Sequence, residues 1–224
     1  NLEKDGFRKD KVKALIINYP NNPLGACCTK DYLKSVVDFC KKYEILLISD
    51  AAYADMYFED ANKPSSIFEI DGAKDIAVEF HSFSKPYSMT GWRIGWICGN
   101  EQVVSQFAKL KSTIDSGIFK CIQMAASNVL NSKEGDDYIV WTNSEIKKKS
   151  EYFVKAFKEE LGWEFDNVPC ATFYQWIKVP ARYKNAEEFC DELLTKSGVV
   201  MVPGTAFGKY GEGHVRVSIV CSIE

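Results

Sequence analysis

Four times in its first hundred residues the chain repeats one pattern, a short continuous apolar run that stops abruptly at polar or turn-forming residues. Val12-Lys13-Ala14-Leu15-Ile16-Ile17 runs into Asn18-Tyr19-Pro20-Asn21-Asn22-Pro23, and Ile45-Leu46-Leu47-Ile48 runs into Ser49-Asp50. Ile76-Ala77-Val78-Glu79-Phe80 leads to Ser82, and Ile94-Gly95-Trp96-Ile97-Cys98 is a fourth run. Runs this short and this continuous read as buried strands. After the first, Tyr32, Leu33, Val36, Val37 and Cys40 fall on one face of a helix, with Thr29 placed to cap its start. Strands of this kind alternating with helices predict an α/β fold, with a mainly parallel sheet covered by helices on both faces.

From Asn100 the character changes. Helical stretches are expected at about 101–115 and 118–131. A long charged helix follows at 135–161, with Ile139, Ile146, Phe153, Val154 and Phe157 as its intermittent apolar contacts. Beyond Gly162 come a strand at 172–179, a helix and two more strands, the last at 215–220. Asn185 and Glu188, three positions apart, form a capping box at the start of that helix. The expected division is a larger domain over 1–140 and a smaller α+β domain over 141–224.

Composition removes several classes of function. With 46% hydrophobic residues recurring regularly along 224 positions, the chain is not a disordered one. No run approaches the eighteen or so apolar residues of a membrane-spanning helix. A formal net charge of −3 gives no electrostatic reason to expect a nucleic-acid partner. The eight cysteines show no CxxC spacing and read as reduced, buried thiols of a cytoplasmic protein, a bridge or metal site being the less favoured alternative. His81 and His214 are too few for a histidine metal site. The sequence starts at Asn1, its charged residues 3–11 pass directly into the first apolar run, and it stops at Glu224, four residues after the last strand. A piece of a longer protein is therefore expected.

In an open parallel sheet, ligands sit beyond the carboxyl ends of the strands. Three unusual segments occupy that position: residues 18–25, 50–53 and 82–93. Taken singly, each has an ordinary reading. Asn21-Asn22-Pro23-Leu24-Gly25 can be a simple turn, Asp50 a cap for a following helix, and Lys85 a solvated lysine. Their occurrence in this order at one sheet edge is harder to explain that way.

These residues resemble the signatures of the fold-type I, class I/II aminotransferases, enzymes that use pyridoxal 5′-phosphate (PLP). The resemblance rests on Asn21-Asn22-Pro23-Leu24-Gly25, Ser49-Asp50-Ala51-Ala52-Tyr53, and Ser82-Phe83-Ser84-Lys85 with Gly91-Trp92-Arg93. It extends through Pro203-Gly204-Thr205-Ala206-Phe207-Gly208 to His214-Val215-Arg216-Val217-Ser218. The S-x-S-K segment with an arginine eight positions on is its most specific part.

The resemblance implies a role for each of these side chains. Lys85 would form the Schiff base with PLP, and its amine, once released, would move the substrate's α-proton. An ordinary lysine, with a pKa near ~10.4, is a poor nucleophile at neutral pH, so the surroundings must favour its neutral form. Asp50 would hold the pyridine nitrogen protonated, which lets the ring accept electrons. Tyr53 and Asn22 would hydrogen-bond the cofactor's 3′-oxygen, while Ser82, Ser84 and Arg93 would bind its phosphate. Arg216 would grip the substrate α-carboxylate with its planar fork, although an exposed strand arginine is its ordinary reading. Phe207 is expected to pack near the pocket, His81 to be a plain strand residue, and the run Lys147-Lys148-Lys149 to be a solvated helix face.

Family members carry an N-terminal portion with a glycine-rich phosphate cup, an aromatic ring stacked on PLP and groups that reach the partner subunit's site. On that pattern these 224 residues alone are expected to bind PLP weakly and to expose apolar surface that favours aggregation. A homodimer is implied for the whole enzyme. The stretch Thr113-Ile114-Asp115-Ser116-Gly117-Ile118-Phe119 with Ile122-Gln123 resembles the LL-diaminopimelate aminotransferases. So do Ala171-Thr172-Phe173-Tyr174-Gln175-Trp176-Ile177 and Gly211-Glu212-Gly213-His214-Val215-Arg216. The implied reaction moves an amino group between LL-diaminopimelate and 2-oxoglutarate. Aspartate and alanine aminotransferases share most of these features and stay open, as do a PLP-dependent carbon–sulfur lyase and a non-catalytic aminotransferase-like sensor.

Overall fold

A computed structural model describes residues 11–165 and 168–223. The charged residues 3–10 and the terminal Glu224 lie outside the described residues. The chain divides into two compact units. One comprises Asn1–Pro20, Cys28–Met56 and Lys63–Ile139; the other comprises Asn21–Cys27, Tyr57–Asn62 and Val140–Glu224.

In the first unit, β1 (Ala14–Asn18), β2 (Leu46–Asp50) and β3 (Ala77–Ser82) are parallel neighbours in that order, and β4 (Gly95–Gly99) follows at the edge. β4 runs antiparallel to β3, so the sheet is mainly parallel, as expected, with one antiparallel edge strand. The cause is the connection. A parallel return needs a crossover, usually a helix. Residues 83–94 instead form turns and one 3₁₀ turn, Thr90–Trp92, and fold back so that Phe83 N–H donates to Ile94 O at 3.2 Å.

Helix α1 (Lys30–Tyr43) makes the crossover between β1 and β2. Thr29 caps it by accepting the Tyr32 N–H, and Glu44, in the left-handed region at φ 52°, ends it. Its buried face of Leu33, Val36, Val37 and Cys40 packs on Ile17, Leu47 and Ala77. Each large side chain buried there contributes roughly 1.5–3 kcal/mol. On the opposite face of the sheet Ile16 remains 67% exposed. Between β2 and β3 the chain makes 3₁₀ turns at Ile67–Glu69 and Ala73–Asp75, the first closed by a capping box of Ser66 and Glu69. Helices α2 (Glu101–Ile114) and α3 (Lys120–Leu130) follow, and α4 (Lys133–Leu161) begins two residues before its expected start.

In the second unit, β5 (Tyr174–Lys178), β7 (His214–Ser218) and β6 (Val202–Pro203) form an antiparallel sheet with β7 in the middle. Helix α5 (Ala186–Ser197) buries Ala186, Phe189 and Cys190 against Ile177 and Val215. Asn185 caps it through the Glu188 N–H at 2.8 Å, but the Glu188 carboxylate takes the Lys184 N–H rather than that of Asn185. The expected box is therefore displaced by one residue. The cysteines are also less enclosed than expected: Cys40 and Cys190 are buried, Cys121 and Cys221 exposed, and the other four half-buried.

Candidate active site

Parallel strands bring their carboxyl ends to one sheet edge, where Asn18, Asp50 and Phe80 lie in register. Asn18 Nδ2 donates to the Asp50 carbonyl at 2.9 Å, and the Ala51 N–H extends the ladder to Phe80 O at 2.9 Å. The Asp50 side chain accepts the Ala52 N–H at 3.3 Å. No helix follows it; residues 52–55 form turns, so the helix-cap reading of Asp50 is corrected. Those turns bury Tyr53, which is 5% exposed. Lys85 Nζ lies 5.9 Å from the centre of the Tyr53 ring.

Lys85 sits in a loop held by its own hydrogen bonds. Ser84 N–H donates to Ser82 Oγ at 3.1 Å, and the N–H groups of Tyr87 and Met89 both reach Phe83 O at 3.3 Å. Ser88 N–H donates to Lys85 O at 3.3 Å, and Thr90 Oγ1 donates to Ser84 O at 2.8 Å. Arg93 is exposed, with Nη1 donating to Thr90 O at 2.8 Å. Ser88 and Arg93 adopt left-handed φ angles of 53° and 54°. Each costs roughly 1–2 kcal/mol for a residue with a Cβ. Backbone strain of this kind persists where surrounding contacts over-determine the loop.

The first unit thus gathers an amine, a carboxylate, a buried phenol ring, two hydroxyls and a guanidinium at or just beyond one sheet edge. In its chemistry this donor set fits PLP, whose aldehyde, pyridine nitrogen and phosphate call for those groups. Among the described residues no cluster of three or more His, Cys, Asp or Glu could hold a metal ion.

Sequence reasoning passed over two acids in this unit. Glu79 is 2% exposed, and its carboxylate accepts from Ser49 Oγ, Ser66 Oγ, Ile67 N–H and His81 Nε2. Burial raises its pKa, but the bonds from His81, Ile67 and Ser66 outweigh that and leave it below the ordinary 4.5. His81 also stacks on Trp96 at 4.6 Å, so it is a structural residue of β3. Asp55 is pushed up by burial, against the pull of His81 and Lys63. A lone glutamate in an apolar run and an aspartate in a turn carry no spacing signal that would have singled them out.

In the second unit, Arg216 lies on the central strand β7, opposite Trp176 of β5 and Val202 of β6. Its guanidinium carbon is 4.5 Å from the Tyr174 ring and 4.8 Å from the Phe207 ring, a cation held between aromatic faces. Nη1 donates to Asn22 Oδ1 at 2.8 Å. Nε is buried with no hydrogen-bond partner among the described residues. Such an arginine is no solvated strand residue, and a donor left unsatisfied in this way costs about 1–3 kcal/mol. Asn22 is brought to Arg216 by the turn in which Asn21 O accepts the Gly25 N–H at 2.8 Å and the Asn22–Pro23 peptide is cis. Phe207 packs as expected, and Tyr174 is the contact that the sequence did not single out.

Comparison with known proteins gives a consistent picture. The aminotransferase class I and II family profile matches residues 1–224. LL-diaminopimelate aminotransferase of Nitratidesulfovibrio vulgaris is 40% identical over 210 residues, which is 94% of this chain and 53% of that protein. The enzyme of that name from Desulforudis audaxviator is 43% identical over 209 residues, 93% of this chain and 52% of its own length. The chain thus spans about half the length of the curated relatives it matches. Among solved structures, apo BacF of Bacillus subtilis superposes with a TM-score of 0.93 at 34% identity, covering 99% of this chain and 58% of its own. An aspartate aminotransferase of Thermotoga maritima gives 0.86 at 32% identity, covering 99% and 55%.

Proposed function

Because the chain belongs to the class I and II aminotransferase family, we propose that the protein is a PLP-dependent transaminase moving an amino group between LL-diaminopimelate and 2-oxoglutarate. The observation that carries the reading is the gathering of Asp50, Tyr53, Ser82, Ser84 and Lys85 around one sheet edge, in a chain that matches the family over its whole length. The names borne by the relatives supply the substrate.

When bound, PLP supplies an electron sink for the charge left when the α-proton of an amino acid departs. Lys85 would hold the group by its amine and, once released, would take the α-proton at Nζ and return one from the same atom. The Asp50 carboxylate would pair with the pyridine nitrogen and favour its protonated form. Tyr53 and Asn22 would donate to the 3′-oxygen, and Ser82, Ser84 and Arg93 would bind the phosphate. Arg216 binds the substrate α-carboxylate through its fork, with Asn22 fixing the guanidinium plane.

Residues 1–140 are taken as part of the large, cofactor-binding domain and 141–224 as part of the small one. A cytoplasmic homodimer completes the proposal; among the described residues no helix is long and apolar enough to cross a membrane.

The likeness to the Thermotoga maritima enzyme favours aspartate as a second donor. The complete gene product containing these residues, supplied with PLP and 2-oxoglutarate, separates the two readings. Glutamate formation with LL-diaminopimelate at a kcat/KM at least tenfold above that with aspartate or alanine supports the first; the reverse order supports the second. Pyruvate or ammonia released without an oxo-acid acceptor would make it a lyase, and no turnover with any donor would leave a sensor.

A further inference from the structure

Two thiols far apart in sequence meet in the second unit. Cys170 Sγ and Cys27 Sγ are 3.2 Å apart and share a hydrogen bond across 143 positions of chain. Each also lies near a main-chain oxygen, Cys170 near Gly25 O and Cys27 near Asn62 O, both at 3.9 Å. The two segments are already pressed together. A Cβ on Gly25 would stand 2.7 Å from Pro169 Cβ and 2.8 Å from Ala171 O. On the far side, the Cys170 carbonyl accepts the Phe58 N–H at 3.0 Å.

We propose that Cys27 and Cys170 form a redox-active dithiol, oxidised to an intramolecular disulfide by hydroperoxides. Three observations support it. First, the sulfurs need to approach by only about 1 Å to reach bonding distance. Second, Cys170 lines a cleft of about 590 Å³ in which Lys147, Lys155 and Lys158 are matched by Glu59, Glu151 and Glu159. Such a wall has no net charge and suits a small uncharged oxidant. Third, the hydrogen bond from Cys27 above all, aided by the backbone N–H groups of Cys27 and Cys170, outweighs burial and brings the Cys170 thiol down to about 6. At neutral pH it is the thiolate, the nucleophilic form.

The chemistry balances. The Cys170 thiolate attacks one oxygen of the hydroperoxide, ROOH; the O–O bond breaks, RO⁻ leaves and takes a proton to become ROH, and Cys170 becomes a sulfenic acid. Cys27 then attacks that sulfur, the S–O bond breaks, and water departs with the Cys27 proton. The sum is two thiols plus ROOH giving a disulfide, ROH and water. Two electrons pass from the sulfurs to the peroxide oxygens. A small dithiol reductant reverses it by exchange. The bridge would tie the segment Asn21–Cys27, which carries Asn22, to the residues that lead into β5.

The test uses the complete gene product, reduced and then exposed to graded hydrogen peroxide, with remaining thiols alkylated before digestion and mass spectrometry. The expected result is a Cys27–Cys170 linked peptide two hydrogens lighter than the separate thiol peptides. It forms before Cys40 or Cys190 is modified, and dithiothreitol abolishes it. In Cys27→Ser, Cys170 is expected to accumulate a sulfenic acid trapped by dimedone. Alkylation of Cys170 in the untreated protein should rise with pH around a midpoint near 6. A pair still fully alkylated after peroxide, or a Cys170 midpoint above 8, would overturn the proposal. None of these readings depends on transaminase turnover, so this inference and the proposed function fail separately.

Discussion

Arg216 Nη1 donates to Asn22 Oδ1 at 2.8 Å, across 194 positions of sequence. The partner is a neutral oxygen. The bond therefore orients the guanidinium without neutralising it, and the faces of Tyr174 and Phe207 hold the same plane. A half-buried arginine oriented in this way presents its fork to an anion from outside. In the proposed reaction that anion is the α-carboxylate of the amino acid.

Replacing the fork by a point charge tests this directly. Arg216→Lys in the complete gene product is expected to raise KM for the amino donor by one to two orders of magnitude. Asn22→Ala, which frees the guanidinium plane, is expected to raise it less. Steady-state kinetics measure both. An unchanged KM in Arg216→Lys would remove the arginine from substrate binding.

Asp50 is expected to act on rate rather than on fold, since its backbone bonds to Asn18 and its side-chain bond to Ala52 do not require a charge. Asp50→Asn should lower kcat on the order of 10²–10³-fold, the scale of losing one preorganised electrostatic group. Its urea unfolding midpoint should stay close to that of the unmodified protein. A kcat within threefold would contradict the role.

Glu79 is a stability residue with a pH signature. Its folded-state pKa is depressed, because the bonds from His81, Ile67 and Ser66 overcome the effect of burial. The contribution is therefore present above the ordinary value of 4.5 and is lost as pH falls through the lower folded value. Glu79→Ala leaves four donors without their acceptor and should cost about 3–5 kcal/mol. Glu79→Gln removes the titration, so its deficit relative to the unmodified protein should shrink between pH 7 and pH 4. Urea titrations at the two pH values check the sign, and a deficit that grows on acidification would refute it.

Gly25 is required by its backbone and by its neighbours. Its φ of +64° disfavours any Cβ, and a Cβ there would collide with Pro169 and the Ala171 carbonyl. Gly25→Ala is expected to destabilise by about 2–4 kcal/mol, combining left-handed strain with overpacking. Thermal or urea unfolding measures it; a change below 0.5 kcal/mol would show that the turn has another conformation available.

What could be read in advance follows from what leaves a local trace. The strands β1 to β3 and helix α1 were legible because continuous apolar runs and a 3.6-residue spacing with a threonine cap are local patterns. The direction of β4 was not, since a strand's apolar pattern is the same read either way and only the loop 83–94 decides the return. The turns between β2 and β3 have no periodicity to detect. Lys85, Asp50 and Arg93 stood out through motif spacing. Arg216 stood out only through its likeness to the family motif, since an arginine on a strand carries no local signal of its own; Asn22, Tyr174 and Phe207 come to it through the fold. The Glu79 network stayed hidden because Ser49 and Ser66 reach it from separate segments, joining His81 of its own strand.

Amino-group transfer by Lys85 and its neighbours, as proposed, can be followed in a single half-reaction. The complete gene product would be loaded with PLP, freed of excess, and mixed with LL-diaminopimelate in the absence of any oxo-acid. Stoichiometric conversion of the bound cofactor to pyridoxamine 5′-phosphate is expected, and none in Lys85→Ala. Failure of LL-diaminopimelate, glutamate, aspartate and alanine alike to produce it, or undiminished conversion by Lys85→Ala, would rule out amino-group transfer through Lys85.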